Sequence, residues 1–174
     1  MKEKGCIHIY CGDGKGKTTA AAGLALRAAG NGLRVYFVQF LKDGTSGEAG
    51  ILKTLPGVVW DVGFPVKKFT FQMNEEELEQ TRKACRKLLE QTASRLKEFD
   101  VAVLDEVLYA LRAGLLEEGE VLEFLKNRPE YTEVVLTGNY LTSALEDAAD
   151  YVTEMKKIRH PYDRGTAARK GIER

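Results

Sequence analysis

The sequence lacks the features of membrane proteins and of non-specific nucleic-acid binders. Its 174 residues contain no apolar run that approaches the roughly 20 residues of a membrane-spanning helix. Acidic and basic residues number 26 each, so the basic surplus of a protein that binds nucleic acid non-specifically is absent. The first residues lead into a strand-like segment rather than into the apolar core of a signal peptide. We therefore expect a cytoplasmic protein with neither membrane nor nucleic-acid partners.

The sequence also holds few residues of the kind that bind transition metals. Its three cysteines, Cys6, Cys11 and Cys85, show no CxxC spacing. Cys6 and His8 have the spacing of a metal-binding pair, but both fall within a short apolar strand. We therefore favour a buried structural role for them over a zinc site.

Apolar runs rich in β-branched and aromatic residues alternate with longer helical patterns along the chain. Several runs are apolar throughout, for example 35–38 and 101–104, which is typical of parallel strands buried on both faces. The predicted strands are 6–11, 34–40, 58–62, 100–104, 133–137 and 151–156. The predicted helices are 17–29, 75–99, 118–127 and 142–149, the second of them with Asn74 and Glu77 as a capping box. This alternation predicts one α/β domain with three layers and a mostly parallel sheet.

The most informative motif is the segment 11–19, Cys-Gly-Asp-Gly-Lys-Gly-Lys-Thr-Thr. It follows an apolar strand and opens a helix, which is the context that a phosphate-binding P-loop needs. The glycines let backbone N–H groups turn toward phosphate oxygens, and the helix start adds unpaired N–H groups. The residues predicted to contact ATP are Gly12, Asp13, Gly14, Lys15, Gly16, Lys17, Thr18 and Thr19. The motif usually begins with glycine, and Cys11 stands there instead.

Two further features predict how the nucleotide is held. Lys17 supplies a mobile charge to the terminal phosphates, and Thr18 offers a hydroxyl to Mg²⁺ or Mn²⁺. Asp105 and Glu106 end an apolar strand, which is how a P-loop protein brings carboxylates to the metal. Which of the two acids touches the ion stays open. The expected fold is thus a RecA-like domain of the P-loop NTPase type, and ATP is the expected nucleotide.

The reaction is not decided by these motifs. The sequence has neither a kinase-type lid of clustered arginines nor the Asn-Lys-x-Asp motif with which GTPases read the base. We expect residues 1–159 to form the nucleotide-binding domain. Residues 160–174 are either a tail or a lid that becomes ordered on ligand.

Several segments, taken in order, resemble the corrinoid adenosyltransferases of the P-loop type, which act on ATP and cob(I)alamin. The matching segments are 12–21, 26–30, 38–42, 47–48, 103–106, 128–129, 137–138, 160–165 and 171–173. The phosphate loop, Val-Gln-Phe at 38–40 and His-Pro-Tyr-Asp at 160–163 are specific when they occur in this order. The family's loop also lacks the first glycine, in agreement with Cys11. The resemblance covers nearly the whole chain.

The resemblance implies a reaction and its participants. A reduced corrinoid, cob(I)alamin or cobinamide, attacks the 5′ carbon of ATP, and triphosphate leaves, in the synthesis or salvage of adenosylcobalamin. The cofactor-derived substrate supplies the nucleophile, so no serine, cysteine or histidine needs activation. The resemblance also implies a homodimer and a flavoprotein-type reductant as partner. A P-loop kinase or ATPase of the RecA-like type and an ATP-dependent corrinoid carrier remain the alternatives.

The resemblance also assigns roles to residues. Lys17 and Glu106 are expected to be catalytic, and Thr18, Glu106 and Asp105 to hold the metal. Arg27 matches an arginine near the nucleotide, with a surface charge on the first helix as an equally weighted alternative.

The expected corrinoid contacts are Phe69 and Phe71, because the family crowds apolar and aromatic residues beneath the corrin. Phe64 and Val66 form an alternative register, and an aromatic pair that packs on the core is a third interpretation. Phe71 stands where the family often has tryptophan, and Asn139 where it commonly has arginine.

Overall fold

The computed structural model describes residues 3–63, 68 and 70–173 and contains one sheet of six strands. The strands are β1 (Ile7–Cys11), β2 (Val35–Gln39), β3 (Val58–Val62), β4 (Val101–Asp105), β5 (Glu133–Thr137) and β6 (Tyr151–Glu154). Their order in the sheet is β3-β2-β4-β5-β1-β6, and every neighbouring pair is parallel. The predicted parallel sheet is confirmed, with each predicted strand found to within two residues at either end.

Six α-helices accompany the sheet in the described part of the chain. They are α1 (Lys17–Gly30), α2 (Gly47–Leu52), α3 (Glu75–Arg95), α4 (Val107–Arg112), α5 (Glu118–Lys126) and α6 (Ser143–Ala148). The sequence predicted four of them and missed α2 and α4, which have six residues each. The predicted helix 75–99 ends as an α-helix at Arg95 and continues as the 3₁₀ turn Leu96–Glu98. None of the helices within 3–63 and 70–173 is both long and apolar enough to cross a bilayer.

The capping box that opens α3 is confirmed. The Asn74 side chain accepts a hydrogen bond from the Glu77 backbone N–H at 2.9 Å. In return, Glu77 Oε2 accepts one from the Asn74 N–H at 3.0 Å. Each bond satisfies a backbone donor that the first turn of a helix cannot satisfy internally.

Both faces of the sheet are buried, as the uniformly apolar strands predicted. On one face, Ala21 and Ala25 of α1 pack with Phe37 and Val103 in an apolar cluster. On the other face, a larger cluster joins the sheet to α3, α4 and α5. Alanines along α1 allow the helix to lie close to the strands. The result is the predicted three-layer α/β domain.

The sequence analysis favoured a buried structural role for Cys6 and His8, but both are only partly buried. The backbone N–H of Cys6 donates to Glu133 Oε2 at 2.7 Å. The His8 ring contacts the other oxygen of Glu133. Cys85 is buried on α3, and burial raises the pKa of its thiol to about 12. No cluster of three or more metal-ligand side chains occurs among the residues that the structure describes.

The carboxyl ends of the strands lie at one edge of the sheet, because all of the pairs are parallel. The chain leaves β1 at this edge to form the predicted phosphate loop. Gln39 ends β2, Asp105 ends β4, and Thr137 ends β5. Four neighbouring strands therefore deliver one loop and three polar side chains to the same place.

Gly138, the residue after β5, limits how the start of α4 packs. Its φ is +150°, and a Cβ built on it would lie 2.7 Å from the Tyr109 backbone nitrogen. We expect Gly138→Ala to lower the free energy of unfolding by about 2 kcal/mol, since α4 must shift and the backbone is strained. Urea denaturation measures this change.

Gly119→Ala is the matched control, because a Cβ there meets nothing within 4 Å and the residue lies in α5. This variant should be as stable as the wild type or slightly more so. Equal stability of all three proteins would show that α4 does not depend on Gly138.

Candidate nucleotide-binding site

The loop between β1 and α1 has the backbone geometry that the glycines predicted. Gly12 has φ +98°, and Gly16, which precedes α1, has φ +116°. Side-chain-bearing residues rarely adopt these values, whereas glycine does so freely. A Cβ on Gly12 or Gly14 would also approach the Met155 carbonyl oxygen to 2.6 Å or less. The glycines therefore serve both the turn and a close contact with the chain that follows β6.

That contact is a short strap, residues 155–157, which lies over the loop. Met155 N–H donates to the Cys11 carbonyl at 2.9 Å, and Gly14 N–H donates to the Met155 carbonyl at 2.6 Å. Lys157 N–H donates to Asp13 Oδ1 at 2.9 Å, and this bond lowers the pKa of Asp13. The sequence predicted Asp13 as an ATP contact. In the structure its carboxylate holds the strap against the loop.

Lys17 lies folded onto the loop from which it projects. Its ammonium donates to the Gly12 carbonyl at 2.8 Å and to the Gly14 carbonyl at 2.7 Å. Both acceptors are neutral, so a phosphate group can compete for this charge. The charge is thus available at the loop, where the sequence predicted it.

Asp105 is the best-connected polar group near the loop, and its side chain is fully buried. Oδ1 accepts hydrogen bonds from Thr18 Oγ1 at 2.9 Å and from Thr137 Oγ1 at 2.7 Å. Oδ2 accepts from Gln39 Nε2 at 3.1 Å and from Lys42 Nζ at 2.7 Å. A buried carboxylate is tolerated only when it is paired and hydrogen-bonded, and both conditions are met here.

The sequence analysis gave no roles to Gln39, Lys42 and Thr137, although all three fall within or beside segments that it quoted. Their positions in the sequence could have indicated a role at the site, because each residue ends or follows a strand that lies beside β1 or β4. Only the pairing order of the strands shows that the three side chains meet at Asp105.

Glu106 follows Asp105 and has φ +65°, one of two positive φ values at non-glycine residues in the described ranges. Its N–H donates to Thr137 Oγ1 at 2.9 Å, and the residue caps α4. A non-glycine residue in this conformation costs free energy of order 1 kcal/mol, and such strain is concentrated at functional sites. Here the turn aims the Glu106 side chain into a pocket.

Burial raises the pKa of Glu106, and the charge of Asp105 raises it further. Lys42 and Lys17 act in the opposite direction. A divalent cation beside this carboxylate favours its charged form, which burial disfavours.

The pocket in front of the loop has a volume of about 570 Å³. Such a volume is in the range of small-molecule sites. Its walls are the loop and the start of α1, Ser46 with the first residues of α2, Glu106, and the C-terminal residues 171–173. An adjoining pocket of about 240 Å³ lies between residues 13–15 of the loop and residues from 160–173. The end of the chain therefore forms part of the wall of the candidate site.

An ion pair organises that end of the chain. Arg169 Nη2 lies 2.8 Å from Glu173 Oε1, and the Arg169 backbone N–H also donates to Glu173. These bonds lower the pKa of Glu173 to about 2, and the charge of Lys15 lowers it as well. Glu173 lines both pockets, so its charge faces the phosphate loop.

The structure does not bring Arg27 to the loop. Arg27 lies in the last turn of α1, and ten residues of helix rise by about 15 Å from Lys17. Its side chain borders a separate depression beside Val101, the first residue of β4, at the opposite edge of the sheet. Arg27 therefore lies away from the phosphate loop of its own chain, although its position in the sequence matches an arginine that the family places near the nucleotide.

The aromatic residues predicted to contact the corrinoid are only partly described. Phe69 lies outside the described residues, as do Phe64 and Val66 of the alternative register. Phe71 lies in the 3₁₀ turn Thr70–Gln72 with 77% of its surface exposed. Thr70 Oγ1 lies 3.5 Å from the Tyr109 hydroxyl, which links this turn to α4. This contact places the turn beside the helix that Glu106 caps.

Comparison with known proteins adds family membership to this geometry. The family model described as ATP:corrinoid adenosyltransferase BtuR/CobO/CobP matches residues 3–174. The corrinoid adenosyltransferase of Escherichia coli K12 is 35% identical over 175 residues, which cover 98% of this chain and 86% of that protein. The corrinoid adenosyltransferase CobA of Salmonella typhimurium LT2 is 35% identical over 99% of this chain and 87% of its own length.

Among solved structures, ATPases 2 and 3 of Thermomonospora curvata EccC align with a TM-score of 0.47 at 18% identity. This match covers 91% of this chain and 32% of that one. The likeness is too distant to add to the argument.

The raised pKa of Glu106 predicts a pH dependence of stability. A carboxylate whose pKa is higher in the folded than in the unfolded protein opposes folding once it is charged. Glu106→Gln should therefore be more stable than the wild type at pH 8. The difference should shrink as the pH falls toward the unfolded-state pKa of about 4.3.

Urea denaturation at a series of pH values measures this difference, with the exposed Glu123→Gln as control. The control should follow the wild type throughout. If the difference in the free energy of unfolding between wild type and Glu106→Gln grows toward acid pH, this interpretation of Glu106 is wrong.

Proposed function

The chain belongs to the ATP:corrinoid adenosyltransferase family, and we propose that it transfers the 5′-deoxyadenosyl group of ATP to the cobalt of a reduced corrinoid. The observation that carries this proposal is the phosphate loop at the mouth of a 570 Å³ pocket, in a chain that matches the family over residues 3–174. Cobalt donates an electron pair to the 5′ carbon, the carbon–oxygen bond breaks, and triphosphate leaves with that bond's electrons. Cob(I)alamin and cobinamide are the proposed acceptors, in adenosylcobalamin synthesis or salvage.

The leaving group explains why a phosphate loop suits this reaction. Negative charge grows on the triphosphate as the bond to the 5′ carbon breaks. Backbone N–H groups of residues 12–18 and the Lys17 ammonium stabilise that charge, and they need no rearrangement if they already surround the phosphates. The adenosyl end must then face out of the loop, where the corrinoid can reach it.

We also propose that Mg²⁺ binds beside Thr18 and Glu106. The available donors are a hydroxyl and carboxylates, which are the oxygen ligands that Mg²⁺ prefers. Glu106 lines the pocket, whereas Asp105 is fully buried and accepts the hydroxyl hydrogen of Thr18. Glu106 is therefore the proposed direct ligand, and Asp105 orients Thr18. Held by Thr18 and Glu106, such an ion would supply further positive charge for the triphosphate.

Residues 160–173 are proposed to act as a lid of the domain formed by residues 1–159. Residues 171–173 line the pocket in front of the loop, and 160–162 and 166–168 line the pocket beside it. A lid would keep water away from the reduced cobalt and the 5′ carbon.

The proposed corrinoid contacts are Phe69 and Phe71. The exposed Phe71 offers apolar surface, and its turn lies beside α4, where Thr70 is in contact with Tyr109. An apolar surface on the lower face of the corrin would displace the lower cobalt ligand and make Co(I) accessible. A homodimer, a flavoprotein-type reductant and a cytoplasmic location belong to the proposal through the family resemblance alone.

The products distinguish this function from its alternatives. Under anaerobic conditions with ATP, Mg²⁺ and reduced corrinoid, the protein should form tripolyphosphate and a photolabile organocobalt compound. ADP and phosphate, formed whether or not corrinoid is present, would indicate a kinase or ATPase. A single turnover with tightly held product would indicate a corrinoid carrier.

Lys17→Ala should lower the rate of organocobalt formation at least about 100-fold, because one charge that stabilises the leaving group is lost. Its circular dichroism spectrum should match that of the wild type. The exposed Lys126→Ala, at the end of α5, is the control for loss of a lysine and should keep full activity. A Lys17→Ala enzyme with wild-type rates would refute the assignment of the loop.

Phe69→Ala and Phe71→Ala should raise the KM for corrinoid more than the KM for ATP, because each removes apolar contact area with the corrin alone. Steady-state kinetics with each substrate varied in turn measures both constants. The exposed Ile51→Ala is a control for loss of surface apolar area. An equal rise in both constants would assign the phenylalanines to folding of the site rather than to corrinoid binding.

A further inference from the structure

Lys42 occupies a position beside Thr18 and Asp105 that no motif had assigned to it. The backbone N–H of Phe40 donates to the Asp105 carbonyl at 2.9 Å, which ties the end of β2 to the end of β4. Leu41 then has φ +51°, a left-handed conformation that is uncommon for a leucine. This turn directs the Lys42 side chain back toward the phosphate loop, where its ammonium meets two oxygens.

One of these oxygens, on Thr18, is a proposed metal ligand, and the other belongs to Asp105, the carboxylate that orients Thr18. Lys42 Nζ donates to Asp105 Oδ2 at 2.7 Å and to Thr18 Oγ1 at 3.0 Å. The Thr18 hydroxyl has one hydrogen, and it is donated to Asp105 Oδ1 at 2.9 Å. The Thr18 oxygen has two lone pairs, and the Lys42 ammonium occupies one of them. A divalent cation on the other would lie within a few ångström of this ammonium, and like charges so close together repel.

Lys42 also provides a formal positive charge in contact with Asp105. The other groups that bond to this fully buried carboxylate, those of Gln39, Thr18 and Thr137, are neutral. Burial of a carboxylate without a compensating cation is unfavourable. Lys42 thus supplies the positive charge that compensates Asp105 in this structure.

We propose that Lys42 is an exchangeable counter-ion for Asp105, which a divalent cation must displace from Thr18 and Asp105 in order to bind. The inference rests on the proposed metal site and assigns to Lys42 the control of whether a metal ion occupies that site. The lysine side chain is 26% exposed and joined to the backbone by a flexible four-carbon stem, so the ammonium has a path outward. Displacement costs free energy, so the metal ion binds poorly by itself and better with nucleotide, whose phosphates provide further ligands.

Titration of the full-length, metal-free protein with Mn²⁺ tests this inference, with free Mn²⁺ measured by electron paramagnetic resonance. No nucleotide or corrinoid is present. Lys42→Met and Lys42→Gln should each bind Mn²⁺ at least about tenfold more tightly than the wild type, because a competing like charge is gone. Lys126→Met, the same change of charge at an exposed residue, should bind as the wild type does.

An unchanged or weaker Mn²⁺ affinity in both Lys42 variants would overturn the inference, because Lys42 would then act with the metal rather than against it. If Lys42→Met does not unfold cooperatively, the Mn²⁺ affinity of Lys42→Gln alone tests the inference, because glutamine retains a hydrogen-bond donor toward Asp105. The wild type offers a second measurement, the labelling rate of Lys42 by an amine-reactive reagent, read by mass spectrometry. Saturating Mn²⁺ should increase this rate relative to Lys126, and an unchanged ratio would contradict displacement.

These experiments are independent of the proposed reaction. If the product assay yields no organocobalt compound while the Lys42 variants bind Mn²⁺ more tightly, adenosyl transfer is wrong and the counter-ion role holds. If the assay succeeds while the Mn²⁺ affinities are equal, adenosyl transfer holds and Lys42 has another role.

Discussion

The buried carboxylate of Asp105 is the group on which the architecture of the site depends. It lies at the end of the central strand β4 and accepts hydrogen bonds from Thr18, Gln39, Lys42 and Thr137. Since a buried charge must be fully paired, β2 and β5 have to end, and α1 has to begin, where their polar groups reach this carboxylate. The parallel sheet makes this possible, because it brings all these ends to one edge. The same requirement orients the Thr18 hydroxyl and directs Glu106 toward the pocket.

This arrangement is suited to a reaction in which the protein supplies charge and position rather than a nucleophile. In the proposed reaction, the loop, Lys17 and the metal ion would all act on the triphosphate, which is the group that leaves. The attacking electron pair belongs to the corrinoid, so the protein needs only to present the 5′ carbon and keep water out. Residues 171–173 contribute as well, because they line the pocket. A fold used elsewhere for reactions at phosphorus can thus hold the phosphates still while chemistry occurs at carbon.

The sequence predicted the elements well and their contacts incompletely. Uniformly apolar runs such as 35–38 predicted the strands, because a strand that is buried on both faces carries apolar residues at nearly every position. The helices α2 and α4 were missed because six residues are fewer than two turns and give no readable period, whereas the equally short α6 is preceded by Thr142, a residue type favoured as an N-cap. The meeting of Gln39, Lys42 and Thr137 at Asp105 depends on strand order, which the sequence does not state. Arg27 was associated with the nucleotide by motif alone, whereas the rise of α1 carries it to the opposite edge.

The central claim is that a polyanion is held where β1 turns into α1, with the adenosyl end facing outward. A crystal structure of the protein with ATP, Mg²⁺ and a non-reducible corrinoid analogue tests this most directly. The account predicts the triphosphate within hydrogen-bond distance of the backbone N–H groups of residues 12–18, and the 5′ carbon turned toward the corrinoid. Triphosphate bound elsewhere, or a vacant loop at saturating nucleotide, would contradict it.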